Sequence, residues 1–134
     1  MSKVIYLGNL RTEATHLKSG NKIVTDAPVD NQGRGEAFSP TDLMSTSLAT
    51  CMLTVMGIAA KGHGINIDGT SADVTKVMES NPRRVSEIHT EITFPPNQYS
   101  AEEKKLLEHA AVTCPVMLSI HPDIIHPVTF IYNK

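Results

Sequence analysis

Between Leu43 and Ala60 the chain carries no charged residue, while the segments on either side alternate apolar and polar positions at strand-like spacing. A helix that is apolar on most sides belongs in a protein core or a membrane. Ser, Thr and Gly interrupt this one, no Trp or Tyr marks an interface, and the flanking Asp42 and Lys61 show no positive-inside bias, so a core helix is expected and no membrane partner. Its start is well marked. Ser39 suits the N-cap, Pro40 the first helical position, and Asp42 falls where a capping-box acid reaches back to the cap. Gly62 and Gly64 are candidate stops.

The remaining pattern predicts strands around a second helix. Lys3 to Leu17 and Lys22 to Asp26 read as a first hairpin, joined by Lys18-Ser19-Gly20-Asn21, and Ala27 to Phe38 reads as an irregular loop. Ile65 to Met78 alternates in part; Val85 to Phe94 alternates with Val85, Glu87, His89, Glu91 and Thr93 opposite Ile88, Ile92 and Phe94. Ser80-Asn81-Pro82-Arg83 supplies the turn between them. Pro95-Pro96 closes the strand, Ser100-Ala101-Glu102-Glu103 opens a helix running toward Cys114, and Val128 to Tyr132 is a last short strand. The order ββ, α, ββ, α, β is that of an α+β fold, with residues 1–134 as a single domain and no internal repeat.

Composition narrows the function. A formal net charge of -2, with 12 Lys and Arg scattered along the chain, offers no footprint for nucleic acid. The apolar stretch at the N-terminus is too short for a signal-peptide core, which places the protein in the cytoplasm as an expectation. There, the 2 cysteines suggest thiol chemistry more than a structural disulfide. Cys51 lies in the uncharged helix at helical spacing with Leu48, Val55 and Ile58, so its thiol is expected on the packed face. Leu107, Ala111 and Cys114 share a face of the second helix. Pro115 opens a new short helix, which would put Cys114 at a helix N-terminus, where a thiolate is favoured, so the local reading ranks Cys114 as the more acidic thiol. His121, Asp123 and His126 with Cys114 match no common zinc spacing, and neither a metal nor a cofactor is implied.

Ser39-Pro40-Thr41-Asp42-Leu43, Cys51-Met52-Leu53, Thr113-Cys114-Pro115-Val116 and His121-Pro122-Asp123 together resemble the OsmC/Ohr family of thiol peroxidases, over nearly the whole chain. The resemblance implies an intertwined homodimer of curved antiparallel sheets wrapped around central cysteine-bearing helices. It also implies an oxidative-stress enzyme that reduces organic hydroperoxides or hydrogen peroxide, with Cys51 attacking the peroxide, Cys114 resolving the sulfenic acid into a disulfide, and a thiol or dithiol reductant reopening it. The family thus assigns attack to Cys51, whereas local physics favours Cys114 as thiolate.

The best-studied peroxidase branch carries a Glu at the position of Thr41 and an activating Arg in the N-terminal turn. Here the acidic group shifts to Asp42, the turn offers His16, Lys18 and Asn21, and Arg11 lies further back. Arg11 is the candidate cation for Cys51 of the partner subunit, His16 its substitute, Asp42 either a helix cap or an Arg-orienting group, and Glu36 a weaker candidate. Met44, Met52, Met56 and Met117 are either pocket walls or core. The departures leave a second class open, a noncatalytic small-molecule binding or redox-sensing module using the dimer-interface pocket.

Overall fold

Gly8, Asn9 and Leu10 all take positive φ, at 89°, 54° and 63°, and the turn they make splits the expected first strand in two. The computed structural model describes residues 1–133. Strands β1 (Ser2–Gly8), β2 (Arg11–His16) and β3 (Lys22–Asp26) form an antiparallel sheet in that order. The β2–β3 turn is where the sequence puts it: the His16 N–H donates to the Asn21 carbonyl at 2.8 Å and Gly20 takes φ 79°. The loop after β3 folds back on the strand end. Asp26 N–H donates to Phe38 O at 3.0 Å, and Gly33 approaches Ala27 so closely that a Cβ would fall 1.7 Å from the Ala27 oxygen. Helix α1 (Pro40–Gly62) then starts on a reciprocal cap, with Asp42 N–H donating to Ser39 Oγ and Ser39 N–H to Asp42 Oδ2, both at 3.0 Å.

The chain forms two compact units, Met1–Met44 and a second from Ser45 onward. In the first, the buried residues among those described are Thr25, Asp26 and Ser39, all polar. Its apolar side chains face outward on both sides of β1, Val4 and Tyr6 alternating with Ile5 and Leu7.

The second unit holds the core. Strands β4 (Ser71–Glu79) and β5 (Arg84–Phe94) pair antiparallel, and β6 (Val128–Tyr132) adds to β5 in parallel. Helices α2 (Ala101–Val112) and α3 (Pro115–Ser119) lie between β5 and β6 in the chain, which supplies the crossover a parallel partner needs. α2 starts on the expected capping box, Ser100 with Glu103, and α3 follows Pro115 as anticipated.

Two strand readings change. Ile65 to Thr70 is not strand: Ile65 N–H donates to Ala60 O to close α1 past Gly64, which has φ 64°, and Gly69 turns the chain at φ 91°. A bulge at Ser86, where Val77 faces Glu87 and Met78 faces Val85, turns Val85 to the inward side with Ile88, Ile92 and Phe94.

α1 is long and apolar enough to cross a membrane by length and composition, with a mean hydropathy of 1.6. Its stripe of Leu48, Met52, Met56 and Ala60 is nevertheless packed in the core with Leu107 and Ala111 of α2. The expected stripe through Cys51, Val55 and Ile58 is therefore displaced by about one residue, and Ile58 is 67% exposed. Met52, Met56 and Met117 are core residues, while Met44 is exposed.

Candidate functional site

Two chemical groupings stand out, one in each unit. In the second unit, Cys114 is fully buried at the junction of α2 and α3 and Cys51 is half-buried on α1; both are free thiols. The Leu107, Ala111 and Cys114 face points into the core as expected. Cys114 is the N-cap of α3, and its Sγ accepts the Met117 N–H at 3.4 Å. Cys51 lies near enough to influence its ionisation. Burial pushes the Cys114 thiol above its ordinary value, and the Met117 N–H only partly opposes this; the neighbouring Cys51 pushes the same way as burial. The local expectation of an acidic Cys114 fails for that reason: a five-residue helix and one weak donor to sulfur do not offset removal of the thiolate from water.

In the first unit, Arg11 and Asp26 face each other across β2 and β3. Arg11 Nε donates to Asp26 Oδ1 at 2.7 Å and Nη2 to Oδ2 at 2.8 Å. The carboxylate is 1% exposed and the guanidinium side chain 28%. The hydrogen bond from Arg11 holds the Asp26 carboxyl below the usual carboxylate range against its desolvation, helped by the Arg11 charge, the Glu36 backbone N–H and the charge of Arg34. Asp26 in turn raises Arg11 further.

The other candidates fall into place around this pair. Asp42 caps α1 through Ser39. His16 ends β2, its Nδ1 bonded to the Ser19 hydroxyl at 2.6 Å in the turn. Glu36 reaches Asp26 through its backbone, and its side chain is exposed. Asp26 itself escapes the sequence reading. Its one signal is a carboxylate closing the strand Ile23-Val24-Thr25-Asp26, and its partner depends on strand register. An open depression of about 570 Å³ lies nearby in this unit, lined by Ile23, Val24, Gly35, Ala37, Phe38 and Asp42 among others. Among the described residues, no group of three or more His, Cys, Asp or Glu is arranged to hold a metal ion.

Among curated proteins, none matches this chain. A structure from Psychrobacter arcticus 273-4, of a protein named for osmotic stress induction and a detoxification response, shares 59% identity at a TM-score of 0.93 and covers 96% of this chain and 93% of that one. An OsmC-like protein from Mycoplasma pneumoniae matches with 20% identity and a TM-score of 0.77, over 100% of this chain and 96% of that one. An organic hydroperoxide resistance protein OsmC from Legionella pneumophila matches with 15% identity and a TM-score of 0.76, over 98% and 96%. These likenesses agree with the α+β architecture of two sheets and α1, and the family model described as OsmC-like protein matches residues 33–126. The chain belongs to the OsmC-like protein family.

Proposed function

We propose that the protein is a cysteine-dependent peroxidase that reduces hydroperoxides, with Cys51 as the attacking thiolate and Cys114 as the resolving thiol. The observation that carries this reading is a half-buried thiol packed against the core that holds a fully buried one, near enough to influence its ionisation. A buried, protonated Cys114 is suited to resolving rather than attacking, which supports the assignment of attack to the more accessible Cys51. The Cys51 thiolate takes the outer peroxide oxygen, the O–O bond breaks, and the leaving alkoxide picks up a proton to give an alcohol, leaving a sulfenic acid. Cys114 then attacks that sulfur: its proton and the sulfenic hydroxyl leave as water and the disulfide forms. Two thiol equivalents from a reductant reopen it by exchange and are themselves oxidised to a disulfide.

The working form in this reading is a homodimer. Its support is the first unit, where Val4, Ile5, Tyr6 and Leu7 expose apolar surface on both faces of an edge strand, a surface that a second copy of the chain would cover. Arg11 of one copy supplies the cation for Cys51 of the partner subunit. A cytoplasmic setting fits chemistry that must be reset by thiols. Relatives named for organic hydroperoxide resistance, from Legionella pneumophila and Elizabethkingia anophelis, add support for an organic peroxide.

Stopped-flow oxidation of the reduced protein by cumene hydroperoxide and by hydrogen peroxide tests the reading. Fast oxidation abolished by Cys51→Ser, with overoxidation in Cys114→Ser, is the expected result. Slow oxidation insensitive to either change would overturn it and leave a binding module in its place.

A further inference from the structure

In the second unit, the ends of β5 and β6 meet the start of α2 over a cluster of aromatic rings. Phe94 and Tyr132 lie face to face, with centroids 4.4 Å apart and planes 5° from parallel, and Tyr99 stands across them at 62° and 61°. Tyr99 is also fixed at its far end, where its hydroxyl donates to Asn66 O at 2.8 Å. From α2, Lys104 Nζ sits 4.6 Å from the centre of the Tyr132 ring, and Glu108 accepts the Tyr132 hydroxyl at 2.8 Å. A half-enclosed cavity of about 370 Å³ opens here, lined by Asn97, Gln98, Tyr99, Lys104, Tyr132 and Asn133. That volume lies within the range of small-molecule sites.

The lining lacks partners in a definite pattern. Among the described residues Lys104 pairs with no carboxylate: Glu103 accepts the Ser100 N–H in the capping box, and Glu108 faces the Tyr132 hydroxyl. The ring takes one side of the ammonium and leaves N–H donors for a ligand. Asn97 and Asn133 donate through Nδ2 to Asn66 O and Phe94 O, both at 3.3 Å, so each keeps its amide oxygen unused. Gln98 is exposed, and its amide bonds to nothing among the described residues. The cavity thus offers one cation, amide oxygens as acceptors, and a flat ring already held in place.

We propose that this cavity binds a small hydroxylated aromatic acid, a role that does not depend on the peroxidase reading. The carboxylate meets the Lys104 ammonium, the ring lies against Tyr99, and the hydroxyl donates to an amide oxygen of Asn97, Gln98 or Asn133. Charge selects the acid. Lys104 is the one cation in the lining, and Glu108 stands beside Tyr132, so a single negative charge is matched and a phosphate dianion is not. Shape selects the ring, because an aromatic acid covers the fixed Tyr99 face at little cost in side-chain ordering.

Titration of the isotopically labelled protein with 4-hydroxybenzoate near neutrality, followed by NMR, tests this. Saturable shifts of the Asn97, Gln98 and Asn133 side-chain amides and of the Tyr99 ring are expected, with a dissociation constant of about 1 mM, as suits a ligand of this size. Lys104→Met keeps the stem without the charge and is expected to weaken binding about tenfold. The neutral analogue 4-hydroxybenzamide is expected to bind the wild type about tenfold more weakly than the acid and to be indifferent to Lys104→Met, since both changes delete the same pair. Shifts that do not saturate or that centre away from the lining, equal binding of acid and amide, or an affinity untouched by Lys104→Met would each overturn the proposal. The comparison of acid with amide uses the wild type alone, so it decides the matter even where Lys104→Met fails to fold.

Discussion

The sulfur of Cys114 accepts the backbone N–H of Met117 at 3.4 Å, so the buried thiol is also the cap of α3. Serine keeps an acceptor at that cap and alanine does not. Cys114→Ala is expected to be about 1 kcal/mol less stable than Cys114→Ser by urea unfolding under reducing conditions, although both lack the Cys114 thiol. Equal stabilities would show that the cap contributes nothing.

Alkaline conditions act on the same residue. Burial raises the Cys114 thiol above its ordinary value of 9.0, so in base the unfolded chain gives up this proton first. The resulting stability is fully present below that ordinary value and is lost as pH rises through the folded one; Tyr132, raised by burial and by Glu108, adds loss of the same sign at higher pH. The urea midpoint of the reduced protein is therefore expected to fall between neutrality and about pH 10, and to fall less in Cys114→Ser.

The acid limb belongs to Asp26. Its carboxyl lies below the ordinary value of 3.8 in the folded chain, so its contribution is present above that value and disappears as pH drops through the folded one. Acid titration followed by circular dichroism is expected to show a transition for the wild type in that window that is smaller or absent in Asp26→Asn.

Gly33 is held by space. A Cβ there would meet the Ala27 carbonyl oxygen at 1.7 Å, a side-chain atom against rigid backbone, so the 27–38 loop must move to admit alanine. Gly33→Ala is expected to cost about 1–3 kcal/mol, as overpacking does. Because the loop also donates the Glu36 N–H to Asp26, the same variant should weaken the hold on Arg11.

What the sequence made legible was local. The capping pairs Ser39–Asp42 and Ser100–Glu103, the turn at Lys18–Asn21 and the short helix opened by Pro115 each depend on a few adjacent residues, and each is found. The Asn9–Leu10 turn was missed because leucine at positive φ carries no turn signal. Cys114 and Cys51 were both named as candidates, but the proton preference of Cys114 is set by packing against α1 and the core, which no neighbouring residue announces. Asp26 was missed for a related reason: a carboxylate at a strand end acquires meaning only from the residue opposite, and that partner lies fifteen positions away.

That opposition has a consequence for error. Sliding β3 by one residue against β2 would bring Thr25 or Ala27 to face Arg11 and turn Asp26 to the other side of the sheet. The sheet that organises the cation is thus also its proofreader. A copy assembled out of register loses the Arg11–Asp26 grip along with the register, and Asp26 is then left without the cation that neutralises it at the strand end.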